Sequence, residues 1–161
     1  MKRISREEMA MEIAHTVAKR GTCGRLNVGC VIMRDSRIIT TGYNGSPSGM
    51  PHCIDIGCEI TPSGGCDTTL HAEIAAITFA AKEGIPLKGT TMYSTDAPCY
   101  SCAKAIVNAG ISSVVFERAY RDSRGIDLLQ TAGVLTGAYS PNMGNILWYT
   151  GKVRLDDVQE V

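Results

Sequence analysis

Two short segments, His71-Ala72-Glu73 and Pro98-Cys99-Tyr100-Ser101-Cys102, restrict this chain more than any other part of it. Each opens a predicted helix, and the second follows directly on a predicted strand. Cysteines three apart in a first helical turn project to the same side, and the positive end of the helix favours their thiolates, the form that ligates metal. His71 completes a three-ligand set for zinc, so any fold open to the chain must bring two helix starts to one point. A tetrahedral ion with three protein ligands keeps a fourth position for water, whose pKa a catalytic zinc lowers from about 15.7 to about 7.

Each piece has a plainer reading when taken alone. A lone Cys-x-x-Cys is also a redox pair or a structural clip, a lone histidine is more often an ordinary core or surface group, and an acidic residue simply favours a helix start. Their joint placement at helix starts is what points to a catalytic metal. Glu73, two residues beyond a ligand, then stands where a carboxyl group can carry protons between water and a bound substrate.

Cysteine usage leads the same way. Seven is an odd number for a disulfide framework, and the amino terminus has no apolar run long enough for a signal peptide or membrane span. The expectation is a cytoplasmic protein with metal-bound thiols and no membrane partner. A chain of 161 residues, 44% of them hydrophobic, fits a single domain over 1–161. Its 16 basic and 16 acidic residues cancel, so no overall positive field attracts nucleic acid, although a local basic pocket for one phosphate is compatible with that balance.

Ser5 and Glu8 fit a capping box, and Met9, Ile13, Ala14 and Val17 recur at helical spacing, predicting a helix over 6–19. Val28 to Met33 and Arg37 to Tyr43, separated by Asp35-Ser36, read as a strand hairpin. An insert over 50–69, broken by Gly57, Pro62, Gly64 and Gly65, needs something other than a packed apolar face to order it. Beyond it the pattern predicts helix over 72–83, strand over 90–95, helix over 99–109 and strand over 113–117, an order that implies a right-handed βαβ crossover. A helix over 123–131 and a short strand near 134–136 follow, and 140–161 carries no pattern that assigns it. The sum is an α/β domain, three layers α/β/α around a mixed five-stranded sheet, with its site beside strand ends.

His-x-Glu with Pro-Cys-x-x-Cys resembles the signature of zinc-dependent base deaminases. Together with Cys23-x-Arg25-x-x-Val28-Gly29, the run Thr41-Gly42-Tyr43-Asn44-Gly45-Ser46-Pro47-Ser48-Gly49, Tyr120 and Gly125-Ile126, it resembles the deoxycytidylate deaminase branch of the cytidine deaminase superfamily from about Cys23 to Gly133. The resemblance implies a cytidine deaminase-like fold and hydrolysis of dCMP to dUMP and ammonia, supplying dUMP for dTMP synthesis. Zinc-activated water would attack C4 of the base, with Glu73 moving protons to N3 and the departing amine. It also implies that Asn44 binds the deoxyribose, Tyr120 packs on the base, Ala72 lines the substrate site and Arg25 approaches the phosphate as a fork-shaped donor. The plainer readings are a turn former for Asn44, a core residue for Tyr120 and a solvated loop for Arg25.

Cys23, Cys53, Cys58 and Cys66 are candidate ligands in irregular segments, and by resemblance they make a second, structural zinc site, with His52 as the substitute ligand. Metal binding would supply folding free energy that the insert lacks. Free thiols are the alternative, and Cys30, inside an apolar strand, reads as core packing. The resemblance further implies a homo-oligomer, a hexamer, with dCTP and dTTP as effectors near Gly42 to Gly49 and Mg2+ accompanying a nucleotide effector. Two rivals stand beside it: a tRNA or other nucleic-acid base deaminase, and a zinc-bearing assembly module without catalysis.

Overall fold

The computed structural model describes residues 3–149. Helix α1 (Arg6–Ala18) starts at the expected capping box: the Glu8 amide donates to the Ser5 hydroxyl at 3.0 Å, and the Glu8 carboxylate accepts from the Ser5 amide. Strands β1 (Gly29–Arg34) and β2 (Arg37–Tyr43) form the hairpin, turning at Asp35 with a positive φ of 54°, a conformation that Asp tolerates. After the short α2 (Cys53–Ile56) come α3 (Ala72–Lys82), β3 (Thr91–Asp96), α4 (Tyr100–Asn108), β4 (Ser113–Arg118), α5 (Arg124–Thr131), β5 (Leu135–Ser140) and β6 (Asn145–Trp148).

One sheet holds the strands in the order β2-β1-β3-β4-β5-β6, with β3, β4 and β5 parallel and the other pairs antiparallel. Alternation along the strands divides the core. Cys30, Ile32, Met92, Val114, Phe116 and Ala138 meet Ala72, Ala76, Ala80, Ala103, Ile106 and Leu129 of α3, α4 and α5. Val31, Met33, Tyr93, Val115 and Tyr139 meet Ala10, Met11 and Ala14 of α1 on the opposite face. The α/β/α layering and the mixed sheet are therefore as the sequence predicts.

The sheet has six strands, not the five expected. Strand β6 lies within the segment left unassigned, and it leaves no signal because three of its four residues, Asn145, Leu147 and Trp148, are exposed and no face alternates. It pairs antiparallel with β5 after a turn in which the Gly144 amide donates to the Ser140 carbonyl, Gly144 itself adopting a φ of 63°. Strand β5 runs beyond the expected 134–136 because Gly137 and Ala138, weak strand formers, are held between neighbours on both sides. The rest of the unassigned segment, 150–161, lies outside the described residues. Among the described residues no helix is long and apolar enough to cross a membrane.

Candidate active site and second metal centre

The parallel strands β3 and β4 deliver their carboxyl ends to one edge of the sheet, and the chemistry gathers there. His71 is the N-cap residue of α3 and Cys99 that of α4, with Cys102 in the first turn of α4. His71 Nδ1 lies 3.4 Å from Cys99 Sγ and 3.3 Å from Cys102 Sγ, so the two helix starts converge as the paired segments require. Ligand bonds of about 2.0–2.3 Å put tetrahedral donors about 3.5–3.8 Å apart, close to these spacings. The donor set therefore fits zinc.

The site's charges are set by contact and burial. A hydrogen bond from Cys102, working against burial and joined by one from His71, holds the Cys99 thiol down at about 4. The same Cys99 contact, with burial, pushes the Cys102 thiol well up. Glu73 is 3% exposed, and burial pushes its carboxyl up to about 7. A buried carboxyl near neutrality can both accept and release a proton at working pH.

Cys23, Cys53, Cys58 and Cys66 form the second cluster. Cys23 and Cys58 sulfurs are 3.8 Å apart, those of Cys53 and Cys66 3.5 Å, and all four lie within 4.8 Å of one another. The two shorter separations are those of the edges of a tetrahedral thiolate site, and the set is compact enough to close on one ion. For Cys66 the pull of burial is overcome by hydrogen bonds from Cys53 and the Thr68 backbone, which bring its thiol down to about 6. His52 is not needed as a substitute: it is the exposed N-cap residue of α2. Cys30 is fully buried in the core, where burial and the nearby Glu73 charge raise its thiol.

One cleft joins the two clusters, with about 460 Å³ of open space including its mouth. Cys23 and Cys66 line one part of it, and His71, Ala72, Glu73 and Cys99 another. Arg25 is exposed at its wall, and Tyr120 is half-buried there with the Arg121 guanidinium 4.8 Å from its ring centroid. Asn44 also lines it, but its side chain is engaged with the backbone: Oδ1 accepts from the Val28 amide at 2.7 Å and Nδ2 donates to the Leu26 carbonyl at 2.6 Å. Asn44 is therefore more than a turn former.

The sequence reading passed over Asp96, which lines the cleft at the end of β3. Its carboxylate accepts from Arg118 Nε at 3.1 Å, from Arg118 Nη2 at 2.7 Å and from the Thr95 hydroxyl at 2.8 Å. The available signal was a run of polar residues, Ser94-Thr95-Asp96, closing a buried strand just before Pro98-Cys99.

A three-layer α/β/α sheet with a His-Cys-Cys donor set and a buried glutamate at two converging helix starts defines a deaminase-type enzyme. The chain belongs to the cytidine and deoxycytidylate deaminases: residues 4–118 match the family's zinc-binding region. It is 42% identical over 135 residues to ComE operon protein 2 of Bacillus subtilis, covering 83% of this chain and 71% of that protein. It is 38% identical to the deoxycytidylate deaminase of Schizosaccharomyces pombe, covering 84% of this chain but only 44% of that one. The dCMP deaminase of cyanophage S-TIM5, solved in complex with dCMP and dUMP, superposes with a TM-score of 0.75 at 31% identity, over 86% of this chain and 99% of the phage enzyme.

Proposed function

We propose that this chain hydrolyses dCMP to dUMP and ammonia at the centre built by His71, Cys99, Cys102 and Glu73. The observation that carries the reading is the buried Glu73 carboxyl, held near neutrality beside a zinc-compatible donor set in the wall of a cleft. Zinc, bound there, would supply an acidified water as nucleophile. Glu73 would take up that water's two protons in turn, passing the first to N3 and the second to the departing amine. Water consumed and ammonia released balance the exchange of amine for oxygen.

The remaining roles follow the cleft wall. Tyr120 packs on the base, Arg25 meets the phosphate, Ala72 borders the base and Asn44 reaches the deoxyribose. Asn44 can do so while holding residues 26–28, because its amide keeps a second N–H and its oxygen a second lone pair. The likeness to enzymes named deoxycytidylate deaminases supports the substrate. The formal charge balance of zero disfavours a polynucleotide.

The same reading gives the chain a second zinc at Cys23, Cys53, Cys58 and Cys66, a cytoplasmic hexamer, and a product that feeds dTMP synthesis. It places dCTP and dTTP, with Mg2+, at the groove that includes Gly42, Tyr43, Ser46, Phe79 and Lys82. The test is loss of cytosine absorbance with zinc-loaded protein on dCMP, deoxycytidine, CMP and dCTP in parallel. Rapid loss with dCMP alone is the expected result. No loss with any of the four, in protein carrying zinc at His71, would overturn the substrate.

A further inference from the structure

We infer that the Asp96–Arg118 pair positions the metal ligand Cys99, acting as a clamp on the segment Ala97-Pro98-Cys99. The inference rests on the proposed zinc site at His71, Cys99 and Cys102, and adds two residues that neither ligate nor touch substrate in that scheme. Cys99 is the N-cap residue of α4: its carbonyl accepts from the Ala103 amide at 2.9 Å, which ties it to the helix on one side only. The segment before it, Ala97-Pro98, belongs to neither β3 nor α4 and has to be held by other contacts.

Arg118 grips the segment with both of its ends. Its guanidinium forks onto the Asp96 carboxylate, while its carbonyl accepts from the Ala97 amide at 2.8 Å. Asp96 and Arg118 are the last partners in the parallel pairing of β3 with β4, so the fork reinforces the ladder at the end nearest the site. A two-pronged guanidinium–carboxylate contact fixes orientation as well as distance. Asp96 is in turn tied to β1: the Thr95 hydroxyl donates to it and accepts from the Gly29 amide at 3.2 Å.

The other side of the segment is held by packing. Gly125, at the start of α5, sits so close beneath it that a Cβ would overlap the Pro98 carbonyl oxygen and come within 2.9 Å of the Cys99 carbonyl carbon. With Asp96 and Ala97 pinned above and Pro98 seated on Gly125 below, the backbone that carries Cys99 is held from both sides. Arg124 differs: exposed at the start of α5, it pairs with half-buried Asp122 two residues earlier rather than with a neighbouring strand. Partners that orient a ligand without touching the metal typically change metal affinity or activity by about 10–100-fold when removed.

The test follows zinc release from the full-length, zinc-loaded protein into excess pyridylazoresorcinol. The wild type should release metal in two phases, and the faster one is assigned to the His71 centre by its loss in His71→Ala. Asp96→Asn should speed that phase by about tenfold, leaving the slower phase and the thermal midpoint in place. An unchanged fast phase, or both phases accelerating with a falling midpoint, would overturn the clamp and leave an ordinary structural ion pair. Should Asp96→Asn not fold, Arg118→Lys carries the same test, since it keeps the charge and loses the fork, and a fast phase unchanged there overturns the inference equally. A single wild-type phase that survives His71→Ala would instead remove the zinc site itself, and the clamp with it.

Discussion

Gly42 of β2 passes so close to Ala72 of α3 that a Cβ on Gly42 would overlap the Ala72 carbonyl oxygen and lie 2.6 Å from the Ala76 amide nitrogen. Both atoms are backbone, so neither can swing away, and the first turn of α3 carries His71 and Glu73. Gly42→Ala should cost about 1–3 kcal/mol through overpacking. Because the displacement falls on the helix proposed to carry the reaction, kcat should fall further than the loss of folded protein explains. Thermal melts and turnover measured on the folded fraction separate the two effects.

Glu73→Gln should keep the fold and the zinc while turnover falls by about 10²–10⁴, the usual contribution of a positioned acid–base group. Undiminished deamination would remove Glu73 from the chemistry.

The same residue sets a pH dependence in protein stripped by a chelator. Its folded-state value of about 7 lies above the ordinary 4.5, so between those values the folded state binds more protons than the unfolded one. Stability from this group is therefore present at low pH and lost as pH rises from about 4.5 through about 7. Urea melts of wild type and Glu73→Gln across that window should show the wild type losing stability relative to the variant, with the difference levelling off above it. Parallel curves would mean that the carboxyl is not desolvated.

Cys66→Ser should lower the zinc content by about one ion per chain and reduce the thermal midpoint. Cys66 and Cys23 also line the cleft beside Arg25, so, if dCMP binds there, loosening them should raise KM for dCMP more than it lowers kcat. Metal analysis and steady-state kinetics on one preparation check both.

Asn44→Ala removes two side-chain contacts to the backbone at Val28 and Leu26, and should cost about 1–3 kcal/mol. If Asn44 also reaches the sugar, KM rises beyond what a loosened 26–28 segment produces. Comparing dCMP with CMP in the variant reads that part out.

How far the sequence reached depended on whether a feature announces itself locally. His71, Cys99 and Cys102 were legible because ligation demands rare residue types at fixed helical positions, and Ser5 with Glu8 because a cap is a contact within one turn. The four-cysteine cluster was legible only as a set, since its members are spread over loops with no period. Strand β6 was not legible, because it is an edge strand with little burial on either side. Asp96 and Arg118 were missed for another reason: their bond exists only once β3 and β4 lie side by side, and neither residue is unusual alone.

The sheet also separates two kinds of consequence. Every residue lining the cleft comes from the loops and helices on one side or from the strand ends, and α1 contributes none. Behind the sheet, Ala10, Met11 and Ala14 pack on Val31, Tyr93 and Val115, and His15 meets Glu117 at 2.7 Å. Changes there should alter how long the protein lasts before they alter the cleft. For anyone wishing to harden this protein against heat, α1 is the handle that leaves its chemistry alone.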